Sequence, residues 1–191
     1  MTKFNAVGDV VLEDPRAMRA RADPVRLALH AELRRRGPAT VADLAALVEA
    51  DARAIAAHLE ALEDVVLVER SAPEDTATWD AVGKGIFFEI PEDAEGQSAA
   101  RQLSNAMLLQ YADLPRQWVK DDEPQLPEEW ARVGGSLDAR LVVTPDELRQ
   151  IQEALENVLE RYVVRGPNAA PPGASHVRLL SYFMPEAGAL R

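Results

Sequence analysis

The sequence predicts an α+β chain, and three observations carry that prediction. Residues 14–62 hold successive stretches of helical periodicity, separated by proline and glycine. Residues 65–91 switch to β-branched and aromatic residues around a polar turn. Beyond Pro91 a long helical pattern leads to a stretch that reads strand, helix, strand.

Each element has a local cause. In DPRAMRARADPVRLALHAELRRRG a short helix breaks before a longer one, which Asp23 caps and Pro24 opens. Val25, Leu29 and Leu33 form one stripe of that helix, with Leu27 and Ala28 beside it, and Gly37–Pro38 ends it. Thr40 and Asp43 stand at capping-box spacing before TVADLAALV. A turn near Glu49 and Ala50 leads to DARAIAAHLEALED, whose buried stripe is Ile55, Leu59 and Leu62. VVLVER reads as a strand, SAPEDTA as a turn, and TWDAVGKGIFFEIP as the returning strand, with Gly83 and Gly85 allowing a bend. Three helices followed by a β-hairpin make a winged helix-turn-helix, expected over residues 14–91.

A helical connection is expected over 92–134. Its long helix runs from about Ala94 to Val119, with apolar residues from Ala99 to Leu114 and an interruption near Leu114–Pro115. A short helix is expected around Trp130. Over 135–191 the expected unit is strand, helix, strand: SLDARLVVT, then a helix opened by Thr144-Pro145-Asp146-Glu147, then HVRLLSYFM after a proline-rich linker. The whole reads as an N-terminal winged helix-turn-helix followed by a long helix and a C-terminal strand–helix–strand unit. The stripe from Leu103 to Leu114 is expected to dimerise the chain.

Composition narrows the function. Hydrophobic residues make up 47% of the 191 and charged residues 28%, a balance that supports a packed core. The absence of cysteine removes disulfides, thiolate metal sites and cysteine nucleophiles together. His30, His58 and His176 share no metal-ligand spacing, so no metal or cofactor is expected. No nucleophile elbow, phosphate loop or His-Glu metal motif is present, and an enzyme is not expected. The N-terminal stretch reads as neither signal peptide nor span, and a cytoplasmic, non-membrane protein is expected. The net charge is −11, but residues 1–70 carry 10 basic and 12 acidic side chains against 11 and 20 in residues 71–191. The first half therefore has room for a basic face.

Three segments carry a resemblance. Asp23-Pro24-Val25-Arg26-Leu27, Gly37-Pro38-Ala39-Thr40-Val41-Ala42-Asp43-Leu44-Ala45 and Ile55-Ala56-Ala57-His58-Leu59-Glu60-Ala61-Leu62 together resemble ArsR-type winged helix-turn-helix transcriptional regulators. The match covers about residues 14–90. The remainder looks like the longer actinobacterial branch of such proteins. The resemblance implies a homodimer, a long helix after the wing that contributes to its interface, and a third helix that enters the major groove of double-stranded DNA.

This sequence also departs from that family. The family's recognition helix is rich in serine and threonine, whereas here the matching positions hold Asp51, Arg53, Ala54, Ile55 and Ala56. Alanine can touch a thymine methyl group but cannot hydrogen-bond a base edge. Asp51 serves as a helix N-cap or faces phosphate, where it would repel. The family's metal-binding cysteines are missing, and the wing tip carries Glu74 and Asp75.

The expected DNA contacts are Arg53, His58 and Lys84, with Arg34, Arg35, Arg36 and Thr40 in support. Each has a structural alternative. His58 contacts phosphate or packs on its own domain, and the three arginines contact phosphate or simply complement the helix dipole. Trp79, Phe87 and Phe88 read as wing core rather than base-stacking platforms. In the C-terminal unit, Leu155, Tyr162 and Tyr182 either line a pocket for a small apolar or aromatic effector or close a core. Two functions follow: a dimeric DNA-binding regulator, or a winged-helix protein-interaction module that binds a partner regulator and has weak or lost DNA binding.

Overall fold

The computed structural model describes residues 2–5, 8–71, 77–163 and 170–187. It is a mixed α+β structure with helices dominant. Two short strands come first, β1 (Lys3–Phe4) and β2 (Val10–Val11), paired antiparallel. The helices α1 (Pro15–Arg21), α2 (Pro24–Arg36), α3 (Val41–Leu47) and α4 (Ala52–Glu63) follow. Strands β3 (Val68–Arg70) and β4 (Trp79–Ala81) then pair antiparallel, with Arg70 opposite Trp79.

The helix starts obey capping chemistry, read in the sequence for Asp23, Thr40 and Asp51 and added by the structure for Asp14. Asp14, Asp23 and Asp51 each accept backbone N–H bonds at the head of α1, α2 and α4. Thr40 and Asp43 form a reciprocal capping box on α3. Gly37 ends α2 at φ 85°, a conformation that a side chain would strain.

The core lies where the helices converge on the hairpin. Leu27, Leu29 and Leu33 of α2, Leu44 of α3, and Ile55, Leu59 and Leu62 of α4 are buried with Leu67, Val68 and Trp79. Ala39, just before α3, makes an isolated bridge to Trp79, with both backbone bonds formed at 2.8 and 3.0 Å. Trp79 is thus core, as expected, while Phe87 and Phe88 are half-buried, Phe88 against the core cluster.

After β4 the chain departs from the expected single returning strand. Residues 82–85 turn away, and β5 (Ile86–Phe87) pairs parallel with β2. Gly83 makes this turn possible. Its φ is 74°, and a Cβ there would stand 2.9 Å from the Val10 side chain. Lys84 therefore lies beside Gly8, to whose carbonyl its backbone N–H donates, and not in a strand of the hairpin. VVLVER likewise yields a strand only from Val68, because Val66 adopts φ 59° in the turn after α4.

Helix α5 (Ala94–Tyr111) packs against α1, buries Ala99, Ala100 and Leu103, and is tied to it by an Arg19–Glu95 ion pair of 2.8 Å. The expected free stripe from Leu103 is therefore corrected: Leu103 belongs to the chain's own core. The apolar residues that α5 leaves open are Leu108 and Leu109, at 47% and 70% exposure. The helix breaks at Ala112–Asp113 and resumes as α6 (Leu114–Gln117), continuing through a π-helical turn (Trp118–Asp122) and a 3-10 turn (Glu123–Gln125) to α7 (Glu128–Ala131).

The C-terminal unit holds the largest correction. Helix α8 (Pro145–Val163) forms with its Thr144–Glu147 capping box. Neither flanking segment becomes a strand: 136–144 and 176–184 carry no sheet pairing among the described residues. Leu137 and Val142 are almost wholly exposed, and Val177 is largely so. A β-rich pattern gives a segment the propensity to extend, but a strand exists only where a neighbour accepts its hydrogen bonds. The first segment instead meets the chain just beyond the second, through an Arg140–Glu186 ion pair of 2.5 Å.

Candidate nucleic-acid interface

The candidate interface is the outward side of α4 with the adjoining basic groups. Helix α4 turns Ile55, Leu59 and Leu62 inward, which leaves Ala52, Arg53, Ala54, Ala57 and Glu60 exposed. Asp51 accepts from the backbone N–H groups of Arg53 and Ala54 at 3.0 and 3.1 Å. Of its two expected roles, the cap is occupied.

Arg53 is exposed on this face, on the first turn of α4. His58 turns the other way. Its Nδ1 stands 3.9 Å from Asp23 Oδ1, and its side chain is only 27% exposed. Of the two roles open to it, packing against its own domain is the one this geometry supports.

The three arginines at the end of α2 have separate surroundings. Arg35 and Arg36 both bond Glu32, Arg35 Nη2 at 2.5 Å and Arg36 Nε at 2.8 Å. The Arg35 bond leads in holding the Glu32 carboxyl below its usual range. One carboxylate thus offsets half of that pair's charge, and the exposed guanidinium edges remain. Desolvation pulls the Arg34 pKa down, opposed by nearby Asp9 and Tyr111 and reinforced by Arg178. Thr40 is occupied by its cap: its hydroxyl donates to Asp43 Oδ2 at 2.6 Å and accepts from the Asp43 N–H at 3.2 Å. Lys84 is exposed next to the β1–β2 hairpin. Glu74 and Asp75 of the expected wing tip lie outside the described residues.

Arg70 was not legible in the sequence as part of this surface. It stands on β3 with its guanidinium over the Trp79 ring, 5.1 Å from the centroid, and 3.4 Å from Glu63. Its cross-strand register with Trp79 produces that contact, and register is a property of the paired hairpin.

The expected effector site is corrected as well. No sheet covers α8 among the described residues, so the expected pocket between helix and sheet is not made. Leu155 is half-buried, while Tyr162 and Tyr182 are 50% and 46% exposed. A groove does occur elsewhere, between the α1–α2 junction and α5, lined by Arg19, Asp23, Arg26, Asn105, Leu109 and Gln110. Among the described residues no helix is long and apolar enough to cross a membrane. In comparison with known proteins, the chain matches no family model and no curated sequence.

Proposed function

We propose that this chain is a dimeric DNA-binding transcriptional regulator, built on a winged helix-turn-helix of ArsR-like type and lacking a cysteine metal sensor. The observation that carries the reading is helix α4. It packs on α3 through one apolar stripe and leaves its opposite side, with Arg53, uncovered. The β3–β4 hairpin directly after it, bridged by Ala39 ahead of α3, supports the same arrangement. Arg53 reads a base or a phosphate, and Arg35, Arg36 and Arg70 supply sequence-independent attraction to the backbone. Because the rest of the outward face is alanine, recognition rests largely on phosphate contacts and groove shape.

The alanine face favours a second reading. Ala52, Ala54 and Ala57 offer no hydrogen bonds, and a flat apolar helix side suits a protein partner such as another regulator. A salt titration of binding to duplex DNA separates the two. For a DNA binder, the logarithm of affinity falls linearly with the logarithm of salt as counterions are released. Binding to DNA that is absent at low salt supports the interaction module.

A further inference from the structure

Helix α8 is 19 residues long, and among the described residues no other helix or strand packs extensively on it. Its apolar residues Leu148, Ile151, Leu155, Val158 and Tyr162 are spaced alternately by three and four, the pattern of a helix seam. The chain covers that seam unevenly. Leu148, Ile151, Leu155 and Leu159 are half-buried, whereas Val158 is 54% exposed.

The flank beside Val158 holds Glu147, Ala154 and Arg161, which recur every seven residues and so form one row. All three are exposed. Ala154 lies midway between Glu147 and Arg161, and Ile151 and Val158 bracket the same point. The row is therefore complementary to itself when reversed: acid at one end, base at the other, and a small side chain at the centre. The Glu147 carboxylate is fixed in place, its Oε2 accepting from the Thr144 N–H and hydroxyl at 2.7 and 2.9 Å. The Arg161 guanidinium lies over the Tyr162 ring, 4.8 Å from its centroid. The other charged residues of α8, Asp146, Arg149, Glu153, Glu156 and Glu160, fall on the opposite side of the helix.

We infer that α8 pairs antiparallel with α8 of a second copy of this chain, about a two-fold axis at Ala154. Each Glu147 then faces the partner's Arg161, and each Ile151 packs on the partner's Val158. A two-fold contact presents the same patch from both subunits, so the charge pair forms twice. Ala154 on the axis lets the backbones approach. A parallel pair would place the Glu147 row against the row of Gln152 and Leu159 and form no opposite-charge contact. The inference rests on the homodimer of the proposed function and names its seam.

The test mixes two full-chain variants, Glu147→Lys and Arg161→Glu. Each alone faces two like-charge contacts, and its dimer should weaken by roughly three- to tenfold. Mixed, they should form the heterodimer well above the statistical half, because both contacts are then opposite in sign. Circular dichroism checks that each variant keeps its helix. Because the chain has no cysteine, Ala154→Cys provides a second readout: its oxidation should link two chains much faster than that of Glu153→Cys on the far face. Statistical mixing, or equal cross-linking rates, overturns the seam. Salt-dependent DNA binding is measured on the unmodified protein. Its absence alongside preferential heterodimers overturns the regulator and leaves the seam standing.

Discussion

Arg21 Nη2 lies 3.4 Å from His30 Nδ1, and both side chains are fully buried between α1 and α2. A guanidinium only donates, so Nδ1 must accept and the ring must be neutral. Burial first, and then the Arg21 and Arg34 charges, push the His30 pKa down to about 3. Burial likewise lowers Arg21 to about 10, with Tyr111 opposing the shift. Among the described residues, Arg21 Nε and Nη1 have no hydrogen-bond partner. A buried cation held by a neutral imidazole and a phenol is a costly arrangement.

This pair makes the fold sensitive to acid. The folded His30 pKa lies below the unfolded value of 6.5. Above pH 6.5 both states are neutral and His30 adds no pH dependence. Between pH 6.5 and 3 the unfolded chain takes up a proton that the fold refuses. Stability should fall across this window by up to about 1.4 kcal/mol per pH unit from this group. Urea unfolding at a series of pH values checks it. In His30→Gln, which keeps an acceptor for Arg21, that part of the slope should vanish.

Replacing Arg21 by leucine should raise stability by about 1 kcal/mol or more, because it removes a buried charge that has no counter-ion among the described residues and leaves an apolar side chain among Met18 and the helix core. Urea midpoints for the two proteins decide the matter. A loss would mean that the bonds of Arg21 to His30 and Tyr111 outweigh its desolvation.

Leu103→Ala should cost about 2–5 kcal/mol, since the side chain is fully buried against α1. Leu109→Ala, at a site 70% exposed, should leave monomer stability nearly unchanged. Thermal unfolding of both variants tests whether α5 belongs to the core through Leu103.

Arg53→Ala should weaken DNA binding by about 1–3 kcal/mol if the guanidinium reads a guanine, with preference lost at that one position. His58→Ala should change affinity little, because the ring faces Asp23. Fluorescence titration against the promoter of its own operon reads both. An Arg53 variant that binds every sequence as before removes this residue from the interface.

Asp51→Ala should lower stability by about 1 kcal/mol, as expected for an N-cap that bonds two backbone N–H groups. Denaturant unfolding measures it. An unchanged midpoint would show that the cap is dispensable.

The sequence by itself determined what is local. Helix starts at Pro15, Pro24, Val41 and Pro145 follow from caps and first-turn prolines that act within four residues. The buried stripe Ile55, Leu59 and Leu62 follows from helical periodicity alone. Only the tertiary structure decided what depends on distant partners. Residues 86–87 leave the hairpin for β2, and Lys84 goes with them, because a strand joins whichever edge offers its hydrogen bonds. Leu103 proved to be core because α1 lies against it, and His58 turned inward because Asp23 stands beside it. Residues 136–144 and 176–184 have the composition of strands, yet among the described residues no neighbour pairs with them. Side-chain pattern sets which conformations are available, and pairing, which joins residues far apart in the chain, selects among them.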